Sequence, residues 1–242
     1  SLPGSSTLPA VSAERRECAI ETGRTAVELV LNGVNARQII TAESIRNAVI
    51  YLLATGGSTN AILHLQAIHY EAELGHLPLS VFDELSHQVP LVASLYPASE
   101  HDMIDFWEAG GVPAVELEIA KLLDLNALTV TGKTKAELLV ETRPSRRPEV
   151  IHTLAIPVRN EAGVAVLHGN LSPLGCVVKP AAVPENLMRF RGPAVVFNSE
   201  QESVEAIMSG QIKPGSALVL RYAGPKGGPG MPDMYKPMAS LE

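Results

Sequence analysis

The sequence predicts an α/β portion followed by a mostly β portion that forms a barrel or a sandwich. Up to residue 141, helical patterns alternate with short apolar segments, which is typical of α/β domains. Residues 142–150 are rich in proline and charge, as linkers are. After them, many short apolar segments are separated by Gly and Pro, which favours a barrel or a sandwich. We therefore expect an α/β part over 1–141, a linker over 142–150 and a mostly β part over 151–242.

Helices of the first portion are marked by caps and by apolar residues at helical spacing. Thr41 is a candidate N-cap, and Ile45 and Val49 lie on one face of the helix that follows it. Gly33 and Gly75 follow two other helical patterns, where glycine commonly ends a helix. The helices are predicted at 13–32, 41–53, 59–74, 78–86, 101–109, 113–123 and 134–140. Extended segments are predicted at 89–95, as a buried strand, and at 128–130.

The second portion is predicted to consist mainly of short strands. The run from Ser216 to Tyr222 is largely apolar and is bounded by turn residues, as strands commonly are. One helix interrupts the strands and is closed by Gly210. That helix is predicted at 200–209, and the strands at 163–168, 175–179, 194–197 and 216–222.

The composition excludes several classes of function. Apolar residues make up 46% of the 242 residues and charged residues 19%, which describes a globular protein. The net charge of −7 argues against a nucleic-acid partner, and prolines interrupt the one basic cluster (Arg143, Arg146 and Arg147), which is typical of a solvated linker. No apolar run is long enough to span a bilayer, so no membrane partner is expected. Cys18 and Cys176 are far apart, which suggests a reducing, cytoplasmic location and small buried residues rather than cluster ligands.

An irregular loop follows the last predicted strand. From residue 224 to residue 233 it contains four glycines, three prolines, Lys226 and Asp233. Such a composition excludes a helix or a central strand, because proline lacks a backbone donor and glycine lacks rigidity. A loop of this kind, fixed to the end of a strand, is where enzymes commonly place ligand-binding groups.

This loop and four other segments resemble the signatures of one enzyme family, the dihydroxy-acid, sugar-acid (aldonate) and phosphogluconate dehydratases. The segment LVLRYAGPKGGPGMPDM at 218–234 is the most specific of them. The segments occur in the family's order and cover nearly all of the chain. The other four are TGGSTNAILHL at 55–65, EAGGVPAV at 108–115, LTVTGKT at 128–134, and VAVLHGNLSP with GCVVK over 164–179.

The resemblance implies a β-barrel-like swivelling domain that closes over an α/β domain, with the active site between them. It also implies an iron–sulfur cluster and a divalent cation, typically Mg²⁺, in the intact enzyme. The family's three cluster cysteines match positions before Ser1, and its catalytic serine matches a position after Glu242. The chain is therefore expected to be an inactive internal piece of a dehydratase that is a cytoplasmic dimer or tetramer when intact. Asp233 occupies the position of a Mg²⁺ ligand that is usually glutamate in the family, so its arm is one methylene shorter.

The candidate substrate-binding residues lie in three places, and two of these places also have a simpler explanation. Ser58, Thr59 and Asn60 head a predicted helix, whose N–H groups and dipole favour an anion, although N-capping alone would explain Ser58 or Thr59. Lys226 and Gly227 lie where backbone N–H groups can converge on a carboxylate, but Lys226 is equally explained as a surface lysine. His168 ends a predicted strand where it can face a cleft. Asp233 itself, taken without the resemblance, is explained as a solvated turn residue.

The function that the resemblance implies is dehydration of a 2,3-dihydroxy acid to a 2-keto acid. In that chemistry the cluster iron assists the departing C3 hydroxyl, and the magnesium ion binds the substrate carboxylate and acidifies the C2 proton. The substrate is either a branched-chain precursor or an aldonate. The alternative function is a stand-alone, non-catalytic binding or assembly module that is derived from the same fold.

Overall fold

The computed structural model describes residues 2–96, 98–224 and 234–241, which form two compact units. The first unit spans residues 1–182 and the second spans residues 183–242. The division falls within the portion that was predicted to be mostly β, so two of the strands belong to the helical unit. Described helices of the first unit are α1 Ala13–Leu31, α2 Ala36–Ile39, α3 Ala42–Thr55, α4 Asn60–Glu71, α5 Leu79–Ser86, α6 Met103–Glu108, α7 Gly111–Glu118 and α8 Lys135–Glu141. Those of the second unit are α9 Glu200–Met208 and α10 Tyr235–Ala239.

Local capping explains where several helices begin. Thr41 accepts a hydrogen bond from the Ser44 N–H and Ser44 returns one to the Thr41 N–H, which confirms Thr41 as the N-cap of α3. Thr134 and Glu137 form the same reciprocal pair at the start of α8. Each such cap satisfies backbone donors that the first turn of a helix leaves without partners.

The core of the first unit is built around α3. Val49, Ile50 and Leu53 are completely buried on this helix, and Phe82 of α5 and Phe106 of α6 pack into the same cluster. Burying side chains of this size stabilises the fold by roughly 1.5–3 kcal/mol each. In contrast, none of the 19 residues of α1 is buried. The helix α3 is therefore the fixed element from which the following turn projects.

The predicted strand at 89–95 is buried but is not a strand. Leu91 and Ala93 make only isolated bridges, to Arg159 and Ile151 respectively. The N–H groups of Val92 and Ala93 instead both donate to the carbonyl of Ala54, at the end of α3, at 2.8 and 3.2 Å. Because the partners change along this segment, no continuous ladder forms.

The described strands form two small sheets. In the first unit, β1 (Ala165–Leu167) and β2 (Cys176–Val178) are antiparallel. In the second, β3 (Ala194–Phe197) and β4 (Ala217–Leu220) are parallel and are connected through α9, as parallel strands require a crossover. The described residues contain no closed barrel, so this part of the predicted fold is not confirmed.

None of the helices in the described part of the chain combines the length and the apolar character that a membrane span requires.

Candidate functional site

The α3–α4 turn is the first element of the candidate site. Gly56 has a φ of 55°, in the left-handed region that favours glycine, and it ends α3. The N–H groups of Gly56 and Gly57 both point back to the carbonyl of Leu52. This arrangement ends one helix and starts the next within four residues, and it fixes the position of Ser58 and Thr59.

A second glycine packs directly against this turn. The Gly163 N–H donates to the carbonyl of Leu53 at 2.9 Å, so the chain passes beside the end of α3 just before β1. A Cβ atom placed on Gly163 would lie 2.2 Å from the Cα of Gly56. Glycine is therefore required at position 163 by the close approach of two backbones.

The head of α4 exposes backbone donors. The Ser58 hydroxyl accepts from the Asn60 N–H at 3.2 Å, as an N-capping role would predict, whereas the Thr59 side chain makes no capping bond. The N–H groups of Ser58 and Thr59 have no hydrogen-bond partner among the described residues. Both donors lie at the positive end of the α4 dipole, where a carboxylate or phosphate is stabilised.

His168 directly follows β1, on a different element from the α3–α4 turn. Its exposed ring packs over the β1–β2 loop, and a Cβ atom on Gly175 would come within 3.0 Å of the His168 Cε1. No described hydrogen bond joins His168 to Ser58 or Thr59. The structure therefore places these candidates on separate elements of the first unit.

Lys226, Gly227 and Asp233 lie outside the described residues, so their predicted roles stay predictions. The strand that precedes them is present as β4. Within the described ranges, no group of three or more His, Cys, Asp and Glu side chains is arranged to hold a metal.

The two cysteines correct one expectation. Cys176 is exposed on β2 and Cys18 is half-exposed on α1, whereas small buried residues were predicted. The reason is that the β1–β2 sheet has only two strands and that α1 buries none of its residues.

Sequence reasoning missed an ion cluster centred on Arg147. Its guanidinium lies 2.6 Å from Asp105, 3.2 Å from Glu108 and 2.9 Å from Glu149. A hydrogen bond from the Asp102 N–H and then one from Arg147 hold the pKa of Asp105 below its ordinary value. The Arg147 hydrogen bond likewise lowers the pKa of Glu149. Arg147 therefore anchors the segment that was predicted to be a solvated linker.

This cluster should make stability depend on pH. Since the folded-state pKa values of Asp105 and Glu149 are lowered, their stabilising contribution is present above their ordinary pKa values. Each contribution decreases as the pH falls below the ordinary pKa of the group, 4.5 for glutamate and 3.8 for aspartate, and it is lost as the pH passes through the lowered folded-state pKa. We expect Arg147→Gln to lower the melting temperature at pH 7 and to have a progressively smaller effect as the pH falls toward 3.5. Thermal melts across this range test the prediction, with the exposed Arg16→Gln on α1 as the control. A pH-independent difference between the wild type and Arg147→Gln would contradict it.

Comparison with known proteins covers the whole chain. The dihydroxy-acid/6-phosphogluconate dehydratase N-terminal family model matches residues 1–138, and the corresponding C-terminal model matches residues 149–242. Proteins named dihydroxy-acid dehydratase align at 46% identity in Methanothrix thermoacetophila, 47% in Methanococcoides burtonii and 48% in Moorella thermoacetica. These alignments include 99–100% of this chain but 44% of each relative, so the chain spans less than half of their length. On this evidence the chain belongs to the dihydroxy-acid/6-phosphogluconate dehydratase family.

Proposed function

We propose that this chain is part of a dehydratase that converts a 2,3-dihydroxy acid into a 2-keto acid. In this reaction the hydroxyl leaves C3, the proton leaves C2, and the resulting enol tautomerises to the ketone. The observation that carries the proposal is the alignment of essentially the whole chain with proteins named dihydroxy-acid dehydratase at 46–48% identity. The relatives' name favours a dihydroxy acid over an aldonate as the substrate.

Within this chain, the head of α4 is proposed to bind the substrate carboxylate. The unpartnered N–H groups of Ser58 and Thr59 would donate to the carboxylate oxygens, and the α4 dipole would add about 0.3–1 kcal/mol. Gly163 supports this role because it holds the turn against the chain that leads into β1. His168, Asn60, Lys226 and Gly227 remain proposed substrate contacts.

The described residues alone do not fit either of the implied metal groups. An iron–sulfur cluster needs several thiolate ligands, and Cys18 and Cys176 lie on separate elements with no ligand group around either of them. Asp233, the proposed Mg²⁺ ligand, lies outside the described residues.

The remaining architecture is proposed from the family resemblance. It comprises an α/β part over 1–141, a linker over 142–150 and a swivelling, barrel-like part over 151–242. The intact protein is proposed to be a cytoplasmic dimer or tetramer.

A chimera tests the proposed function. This chain would replace the matching segment of the Moorella thermoacetica relative, with which it aligns over 242 residues at 48% identity. We expect the chimera to form 2-keto acid from a branched-chain 2,3-dihydroxy acid and to do so faster than from an aldonate. A folded chimera that binds the dihydroxy acid but does not dehydrate it would favour the non-catalytic binding module instead.

The same chimera tests the head of α4. Thr59 has a φ of −60°, which proline can adopt, so Thr59→Pro removes one backbone N–H while keeping the backbone angle. We expect Thr59→Pro to lower kcat/KM about tenfold, as the loss of one hydrogen bond to a charged group predicts. Thr59→Ala keeps that N–H and is the matched control, with little change expected. Equal activities of the two variants would show that the substrate carboxylate does not bind at the head of α4.

A further inference from the structure

A cavity of about 640 Å³ lies in the first unit, and no residue of the α3–α4 turn lines it. It is bounded by Pro3, Gly4 and Thr7 near the start of the chain, by α6 and α7, and by the end of α8 with the segment that follows it. Its volume falls in the range of about 300–1,000 Å³ that is usual for small-molecule sites. Neither Ser58, Thr59, Asn60 nor His168 lines it. The lining residues that matter here are Trp107, Glu108, Glu116, Glu141, Arg143 and Arg146, and we call it the arginine cavity.

Each carboxylate that lines the arginine cavity already has a cationic partner, although Glu108 shares Arg147 with Asp105 and Glu149. Each of the three glutamates forms an ion pair with a cation that does not line the cavity: Glu108 with Arg147 at 3.2 Å, Glu116 with Lys135 at 2.7 Å and Glu141 with Lys133 at 2.8 Å. In contrast, the guanidinium groups of Arg143 and Arg146 have neither an ion pair nor a hydrogen bond among the described residues. Arg143 and Arg146, which are both exposed, therefore line the cavity with two guanidinium groups that no described group pairs with.

The segment that carries these arginines is held in place at both ends. Thr142 donates through its N–H to Leu139 at 3.1 Å and through its hydroxyl to Leu138 at 3.0 Å. The Arg146 N–H donates to the carbonyl of Ala109 at 3.2 Å, and Pro144 fixes one backbone angle between them. Less ordering of this backbone is then needed when a ligand binds.

We propose that the arginine cavity binds a small organic dianion, either a dicarboxylate or a phosphate ester. Guanidinium groups match the geometry of carboxylate and phosphate oxygens and form charge-assisted hydrogen bonds with them. Trp107, which is half-buried, supplies an apolar wall for the carbon skeleton of the ligand. This site is independent of the proposed dehydration.

The only tryptophan of the sequence lies in this cavity, so its fluorescence reports binding. The 242-residue chain would be titrated with succinate and, separately, with glycerol 3-phosphate, at constant ionic strength set by NaCl. Uncharged succinamide serves as the matched control ligand, and calorimetry provides a second readout. We expect a saturable response to at least one dianion and none to succinamide, and the stronger binder identifies the ligand class.

Variants then locate the site. Arg143→Gln and Arg146→Gln should each weaken binding about fivefold to tenfold, and the double variant should weaken it further. Arg16→Gln, on the exposed face of α1, is the matched control and should bind as the wild type does. Melting temperatures of the variants show whether each is folded. Binding that does not saturate, that succinamide reproduces, or that the folded double variant retains would overturn the proposal.

Discussion

Replacing Gly163 with alanine is expected to destabilise the first unit by more than about 3 kcal/mol, because the added methyl group has no space between the backbones at Gly163 and Gly56. The new Cβ would lie 2.2 Å from the Cα and 2.6 Å from the N of Gly56, and 2.9 Å from the Cδ1 of Leu91. The first two are backbone atoms, which a rotamer change cannot move. Relief would require the chain before β1 to separate from the end of α3 and to break the Gly163–Leu53 hydrogen bond.

Urea unfolding followed by Trp107 fluorescence measures this loss in the unit that contains both glycines. Gly23→Ala is the matched control, because no atom lies within 4 Å of a Cβ at that position in the middle of α1. It should raise the free energy of unfolding by up to about 1 kcal/mol, since alanine favours helix. Equal effects of the two substitutions would show that the backbones at 56 and 163 are not in close contact.

Helix positions were predictable because their signals are local. Thr41 and Thr134 each begin a helix with a partner three residues away, and apolar spacing marks the face that packs inward. The helix at 200–209 is likewise present as α9, and Gly210 follows it with a φ of 70°. The short α2 was missed because four residues carry too little periodicity to be recognised.

Predictions that depend on distant partners were less successful. The buried character of 89–95 was visible in the sequence, but its strand pairing was not, because Ala54 at the end of α3 takes two of its N–H groups. Arg147 was expected to be solvated, and its contact with Asp105 spans 42 residues of sequence. No periodicity or motif reports an ion pair over such a separation.

For the candidate site, the sequence located the head of α4 through its glycines and hydroxyl residues. The structure adds that the donors of Ser58 and Thr59 lack partners among the described residues and that Gly163 supports the turn. The need for glycine at 163 was not predictable, because it arises from contact with a residue more than a hundred positions earlier in the chain. The motif resemblance was sufficient to indicate the family from the sequence. The arginine cavity could be recognised only from the three-dimensional structure.

Replacing Asn47 with alanine is expected to destabilise the first unit by about 2–4 kcal/mol, because it leaves two backbone groups without partners. The buried Asn47 side chain donates to the carbonyl of Asp124 and accepts from the N–H of Asp124, both at 2.8 Å. These two bonds connect α3 to a loop 77 residues away, beside a third bond from Arg46 to the carbonyl of Leu122. Alanine can replace neither the donor nor the acceptor.

Asn47→Asp separates the loss of hydrogen bonds from the loss of volume. Aspartate keeps the size and the acceptor oxygen of asparagine, but at pH 7 its carboxylate faces the Asp124 carbonyl without a donor. We therefore expect no rescue by Asn47→Asp at pH 7, and a change within about 0.5 kcal/mol for the control Asn126→Ala, whose exposed side chain makes no described hydrogen bond. Urea unfolding of the three variants measures these differences. Wild-type stability in Asn47→Asp would show that packing volume, rather than the paired bonds to Asp124, holds this loop on α3.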